Sequence, residues 1–229
     1  MLPVIVAGGL GTRMGGEALP KALLAVAGKP LIDHQLRWLK NAGFSTVALC
    51  LGHKAEAIRS YCGAGKRWGL DLRYCVETQP RGTAGCVKDL RLDQDALVVY
   101  GDLYPDLELA PLLRGHGDHP EAGATLALLR TDHPRDSDLA RLEGWRVCAI
   151  YRDPEGLRGG DLALAAVWIV RPSLLDLAPD KRPSDFGRDV FPEALRRGLP
   201  LAGCPLVGIL ADLGTPERFE RFRPTETKR

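Results

Sequence analysis

No apolar run in the 229 residues approaches the roughly 18–20 that a membrane span requires, which argues against a transmembrane protein. There is no excess of charge: 31 basic residues stand against 29 acidic ones. That balance suits neither a nucleic-acid-binding surface nor a polybasic membrane anchor. No C-x-x-C occurs among the six cysteines (Cys50, Cys62, Cys75, Cys86, Cys148, Cys204). Four of them lie in or beside apolar runs, so reduced, mostly buried thiols of a cytoplasmic protein are expected. There is no internal repeat and no low-complexity stretch. Leu2-Pro3-Val4-Ile5-Val6 follows Met1 without a basic n-region, so the opening reads as a first strand rather than a signal peptide.

What is there is an ordinary globular profile, 45% hydrophobic and 26% charged, long enough for one large domain. Val4–Ala7, Val47–Leu51, Leu72–Val76 and Ala96–Tyr100 read as buried strands. Between them Leu31–Ala42, Lys54–Tyr61 and Thr83–Leu90 read as helices. In the first of these, Ile32, Leu36 and Leu39 recur at helical spacing, and Gly43 suits the C-terminal cap. Strands alternating with helices predict a parallel sheet over residues 1 to about 103. The second half is less regular. Ala124–Leu129, Arg146–Tyr151 and Leu164–Val170 look like strands, and Leu174–Leu177, Arg188–Arg197 and Pro216–Phe222 like helical pieces. Expected is a nucleotide-binding half, about 1–103, joined to an acceptor-binding half, about 104–229.

Ala7-Gly8-Gly9-Leu10-Gly11-Thr12-Arg13-Met14 directly follows the first strand. In an α/β sheet the ligand crevice lies outside the carboxyl ends of the strands, and glycines let backbone N–H groups approach phosphate oxygens. Taken alone, such a loop is equally a tight turn. A dinucleotide fingerprint would need a third glycine where Met14 stands, and an acidic residue where Leu51-Gly52-His53 closes the second strand. A Walker loop fails too, because Pro30 follows Gly28-Lys29 and Arg67 follows Gly65-Lys66. Arg13 and the pair Pro20-Lys21 bracket the segment Met14–Leu19, a guanidinium fork and a point charge suited to a polyphosphate.

This block, G-G-x-G-T-R followed by P-K, resembles the signature of the sugar-1-phosphate nucleotidyltransferases, and the resemblance runs through nearly the whole chain. Gly28-Lys29-Pro30-Leu31-Ile32 matches the segment leading into the first helix. Gly82-Thr83-Ala84-Gly85 is similar to the family's nucleobase-binding turn, Tyr100-Gly101-Asp102 to its N-G-D strand end, and Asp212-Leu213-Gly214-Thr215-Pro216-Glu217 to its D-x-G-T-P-E. The nearest subgroup is the short heptose- or mannose-1-phosphate guanylyltransferases, and no room is left for the C-terminal β-helix domain that some relatives carry. The resemblance implies an α/β fold: a Rossmann-like, mainly parallel sheet flanked by helices, similar to the glycosyltransferase-A fold, with a smaller acceptor-binding part in the C-terminal half.

It also implies roles. Arg13, Lys21 and Asp102 would be catalytic, and Asp102 and Asp212 would hold Mg²⁺. Ala7, Gly8, Gly9, Gly11, Thr12, Glu77, Gly82 and Thr83 would bind the nucleotide. Arg152, Ala165 and Ala166 would meet the sugar phosphate. Read alone, each aspartate is an exposed turn residue or helix cap, and Asp212 an Asx turn. Glu77, in the position that faces the base edge, favours GTP, since guanine offers two donors to an acceptor-only carboxylate. Gln79 in that role would restore a pyrimidine. The implied partners are an NTP and a sugar 1-phosphate, without nucleic acid or membrane, in a monomer or homodimer.

The departures cluster on the acceptor side. Where the family has E-K-P, this chain has Arg152-Asp153-Pro154; its N-A-G appears as Leu164-Ala165-Ala166, and the Asn of N-G-D is Tyr100. An unusual acceptor, a heptose, another modified sugar or a cyclitol phosphate, follows, with uridylyl, thymidylyl or cytidylyl transfer as alternatives. A non-catalytic nucleotide or phosphosugar sensor on the same fold is the rival reading. An oxidoreductase is weaker still. His116-Gly117-Asp118-His119-Pro120 reads as a solvated loop rather than a zinc site.

Overall fold

The structure, a computed structural model, describes residues 1–9, 19–131, 133–155, 162–180 and 182–222. In chain order its elements are β1 (Leu2–Ala7), β2 (Ala25–Val26), β3 (Lys29–Pro30), α1 (Leu31–Asn41), β4 (Thr46–Leu51), α2 (Ala55–Cys62), β5 (Asp71–Val76), α3 (Gly82–Lys88), β6 (Ala96–Tyr100), β7 (Leu103–Leu107) and α4 (Ala110–Asp118). Then come β8 (Ala124–Leu129), β9 (Leu139–Glu143), β10 (Arg146–Tyr151), β11 (Leu162–Val170), α5 (Pro172–Leu175), α6 (Phe191–Arg196), β12 (Leu201–Pro205), β13 (Gly208–Asp212) and α7 (Pro216–Arg221).

Nine strands form one sheet in the order β5-β4-β1-β6-β11-β8-β12-β10-β9. The four strands expected in the first half are all there and all parallel. Beyond β6 the ladder turns mixed. β11 runs antiparallel to β6 and β8, β12 pairs parallel with β8, and β9 returns to pair with β11. Side chains alternate between two cores on the two faces, as a strand's period of two requires. Val4, Ala48, Cys50, Val98 and Leu126 face one core, which α3 covers with Ala84, Cys86 and Val87. Ile5, Val47, Leu49, Val99 and Ala127 face the other, which α1 covers with Ile32, Leu36 and Leu39.

Six strands and one helix were not anticipated: the two-residue β2 and β3, then β7, β9, β12, β13 and α4. Pro105, Pro205, Gly203 and Gly208 dilute the strand pattern in three of these strands. β7 and β13 tolerate them by pairing only with each other, where each has an edge free of ladder bonds. The expected loop at 116–119 is corrected in part: His116 lies on α4, buried. Its ring contacts Thr125 Oγ1 at 2.9 Å through Nδ1 and Asp95 Oδ2 at 3.1 Å through Nε2. Burial lowers its pKa, against the pull of Asp95. Burying Leu112 and His116 on that face outweighs the helix cost of Gly115 and Gly117.

β11 contains an irregularity between Leu164 and Trp168, and within it Ala166 has φ +52°. A side chain in the left-handed region costs about 1–2 kcal/mol. Ala166→Gly removes that strain and is expected to stabilise the protein by about 1 kcal/mol, or roughly 2–4 °C in Tm for a chain of this size. Calorimetry of the two proteins checks this, and a lower Tm in the variant contradicts it.

Candidate active site

The four parallel strands end at one edge, and their following residues form the site. β1 delivers Ala7, Gly8 and Gly9; β4 delivers Gly52; β5 delivers Glu77; β6 delivers Gly101 and Asp102. Of the glycine-rich loop, Gly11, Thr12 and Arg13 lie outside the described residues. Gly9 faces open space, since a Cβ there would meet nothing within 4 Å. Gly101 packs back to back with Ala7: its N–H donates to Val6 O at 2.9 Å, and a Cβ on it would lie 2.7 Å from Ala7 Cβ.

At one end of this edge stands Glu77. A Cβ on Gly8 would lie 2.5 Å from Glu77 Oε1, and one on Gly52 would lie 2.8 Å from the same oxygen. Only glycines leave room for the carboxylate there. Glu77 Oε2 accepts from the Arg81 backbone N–H at 2.9 Å. Burial raises the Glu77 pKa, and that hydrogen bond opposes the shift. The following turn is locked to the second half of the chain. Gly82 has φ +74°, and Ser184 O accepts from the N–H groups of Ala84 (2.8 Å) and Gly85 (3.3 Å). The Thr83 hydroxyl accepts from Phe186 N–H at 3.2 Å and also hydrogen-bonds the Tyr100 side chain. Burial pushes the Tyr100 phenol upward, so it stays neutral at physiological pH.

At the other end, three predicted residues meet around Gly214. A Cβ on Gly214 would lie 2.7 Å from Asp212 Oδ1, 3.0 Å from Asp102 Oδ2 and 3.6 Å from Lys21 Nζ. Lys21, in a 3-10 turn at Lys21–Leu23, donates to Gly214 O at 2.5 Å. The strand pairing places them. β7 starts one residue after Asp102, and β13 returns antiparallel with Asp212 opposite Leu103. Leu213 N–H then donates to Asp102 O at 2.9 Å. Asp212 does form the Asx turn: Oδ1 accepts from Gly214 N–H at 2.7 Å, while Oδ2 pairs with the Arg218 guanidinium. The paired carboxylate oxygens are the donors that a hard divalent cation takes. No cluster of three or more metal-ligating side chains occurs among the described residues, so ligand oxygens would have to complete its shell.

The residues expected on the acceptor side are only partly assembled. The register Val167↔Val99 brings Ala166 up to the Tyr100 end of β6, and Ala165 adjoins it. Arg152 is exposed and donates to Asp138 Oδ1 at 2.6 Å. That bond is the leading cause of its raised pKa. Asp153, the reversed charge in the family's Lys position, is buried. Sequence reasoning missed Gly214, Arg218 and Ser184 as parts of the site. The D-L-G-T-P-E motif offered a signal for Gly214. Nothing in sequence pointed to Ser184, which is 102 residues from Gly82.

Residues 2–229 match the nucleotidyl transferase family. The chain belongs to that family. It is 31% identical over 229 residues to a mannose-1-phosphate guanylyltransferase of Mycobacterium tuberculosis, covering 95% of this chain and 62% of the relative. It is 28% identical to the low-salt glycan biosynthesis nucleotidyltransferase Agl11 of Haloferax volcanii, covering 95% of this chain and 63% of that one. The chain thus spans less than two thirds of the length of these relatives. Its fold matches HddC from Yersinia pseudotuberculosis complexed with GMP-PN, with a TM-score of 0.79 at 22% identity and 96% of each chain covered. The α/β nucleotidyltransferase fold that the resemblance implied is therefore the fold observed.

The base turn yields a direct test. A Cβ at Gly82 would sit 2.4 Å from Ser184 O, on a backbone already in the left-handed region. Gly82→Ala should destabilise the protein by roughly 2–5 kcal/mol, the sum of backbone strain and overpacking. A urea unfolding midpoint equal to the wild type's would show that the turn is not locked in this way.

Proposed function

We propose that the protein transfers a nucleoside monophosphate from an NTP, GTP first, to a sugar 1-phosphate, giving an NDP-sugar and pyrophosphate. The observation that carries this is the convergence of Asp102, Asp212 and Lys21 on Gly214 at the sheet edge where the glycine-rich loop leaves β1. The relatives' names add support for guanylyl transfer to a sugar such as mannose, and the GMP-PN bound by HddC adds support for a guanine nucleotide. In this reading the chain is one domain over 1–229, with nucleotide-binding and sugar-phosphate-binding halves, acting in the cytoplasm, where its six free cysteines stay reduced.

The chemistry needs no general base. A phosphate monoester is largely dianionic at pH 7, its second pKa being about 6. Its oxygen attacks the α-phosphorus in line, and the bond to the pyrophosphate oxygen breaks. Backbone N–H groups of Gly8, Gly9, Gly11 and Thr12 cradle the phosphates. Lys21 and Arg13 stabilise the charge that builds on the leaving pyrophosphate. Asp102 and Asp212 would hold Mg²⁺, which supplies screening between the two anions and orients them. Glu77 Oε1, hemmed by Gly8 and Gly52, accepts from the guanine edge, and Gly82 and Thr83 close over the base.

A pyrophosphate-release assay with four NTPs, Mg²⁺ and a panel of sugar 1-phosphates tests the reaction. GTP is expected first, and silence with every pair would favour a sensor. Glu77→Gln places a donor against a guanine donor, at a cost of about 1–3 kcal/mol, or roughly 5–150-fold in kcat/KM for GTP. The GTP/UTP ratio should fall while total activity persists. An unchanged ratio removes Glu77 from the base site.

The carboxylates are tested separately, by Mn²⁺ binding followed by electron paramagnetic resonance. Asp102→Asn and Asp212→Asn should each weaken binding in the presence of nucleotide. Because one ion is shared, the double variant should lose less free energy than the two single losses added together. Strict additivity would mean that the two side chains do not hold the same ion.

A further inference from the structure

Three of the six free thiols are gathered beneath the base turn. Cys50 on β4 and Cys75 on β5 are directly paired in the parallel ladder, so their side chains leave the same face of the sheet. Cys50 is buried and Cys75 is half-buried, and both pack in the same core as Cys86. Cys50 Sγ also lies 3.6 Å from Cys86 O, and Cys86 Sγ lies 3.5 Å from Thr83 O. The cluster thus touches the turn at Thr83 and stands two residues from Glu77.

Neighbouring strands lie about 4.8 Å apart. That falls within the roughly 4.4–6.8 Å that the Cα atoms of a disulfide span. β5 is the edge strand, held by β4 alone, so a small approach to β4 disturbs no second ladder. We propose that Cys75 and Cys50 form a peroxide-sensitive dithiol that closes into a β5–β4 disulfide and thereby displaces Glu77. The hydrogen bond from Cys50 holds the Cys75 thiol below the usual thiol range, against burial and the nearby Asp89 and Glu77 charges. Its sulfur neighbours and burial raise Cys50 instead, so Cys75 is the attacking thiolate and Cys50 the proton-bearing partner. Burial pushes Cys62 up to about 12 and raises the half-buried Cys204 as well, which disfavours the reactive thiolate there.

The chemistry balances with a hydroperoxide as the oxidant. The Cys75 thiolate attacks one peroxide oxygen, the O–O bond breaks, and the departing hydroxide takes up a proton as water. Cys75 is then a sulfenic acid. The Cys50 sulfur attacks the Cys75 sulfur, the S–O bond breaks, and the hydroxide leaves with the Cys50 proton as a second water. Two thiols and one hydrogen peroxide give one disulfide and two waters, with two electrons passing from sulfur to oxygen. A thiol reductant reverses the bond.

The effect on nucleotide binding rests on the base-site reading above; the disulfide does not. The test uses the full chain carrying Cys148→Ser, which removes the exposed thiol, and the same protein with Cys75→Ser. Each is treated with hydrogen peroxide, its thiols are counted after denaturation, its peptides are mapped by mass spectrometry, and its affinity for a fluorescent GTP analogue is measured. The expected result is the loss of two thiols, a Cys50–Cys75 linkage absent from the Cys75→Ser protein, and an affinity lowered roughly fivefold or more and restored by dithiothreitol. Retention of all thiols, a linkage through Cys86, or the same thiol loss without Cys75 would overturn the dithiol. A Cys50–Cys75 linkage with unchanged affinity would overturn its coupling to Glu77. Failure of the reduced protein to bind the analogue would count against the base-site reading, while the thiol count and peptide map would still decide the disulfide.

Discussion

Gly208–Asp212 pairs antiparallel with Leu103–Leu107, and the candidate site depends on that two-stranded ladder. It brings back to Asp102 a carboxylate, Asp212, that lies in the last tenth of the chain. Two like charges approach there beside cationic groups. Lys21 donates to Gly214 O, and Arg218 pairs with Asp212. Gly214 is the contact point of all three elements, and the space that a Cβ would fill is taken by the two carboxylates. Glycine is therefore required there by crowding from the site rather than by its own backbone angles.

The base end follows a different logic. Close packing, rather than charge pairing, sets the position of Glu77. Gly8 and Gly52 admit the carboxylate between the ends of β1 and β4, and the Arg81 N–H holds its second oxygen. The turn beyond it is fastened from the far half of the chain by Ser184 O, and Thr83 is tied to Phe186 and Tyr100. Tyr100 adds an edge-on contact with Trp168, 5.1 Å between ring centres. The turn at Gly82–Thr83 and strand β11 thus meet at the half-buried Tyr100.

The segment expected to meet the sugar phosphate is where the sequence departs most from the family's motifs, and charges near it are already engaged. Arg152 pairs with Asp138, and Arg188 pairs with Asp185 at 2.7 Å. An incoming sugar phosphate would have to compete with these exposed pairs, each worth little on its own in water. The strained Ala166 keeps the backbone shape that a glycine would hold without cost.

The sequence by itself determined the parallel half of the sheet, helix α1 and the candidate nucleotide site. These rest on local signals: period-two apolar runs, helical spacing of Ile32, Leu36 and Leu39, and glycines at strand ends. Glu77, Asp102 and Lys21 were singled out from segments close to those strands, and all three lie at the carboxyl edge of the sheet. Tertiary structure alone decided the rest. β7, β12 and β13 carry proline and glycine and form because a partner strand satisfies their backbone groups, which no local pattern encodes. α4 forms despite two glycines because Leu112 and His116 find buried partners across the chain. Likewise the clasp of Ser184 on Gly82 joins residues more than 100 positions apart, and although the motifs assigned Asp102 and Asp212 to one ion, the β7–β13 pairing is what brings them together. Contacts at that separation are set by how the sheet closes, and the chemistry of either residue alone carries no record of its partner.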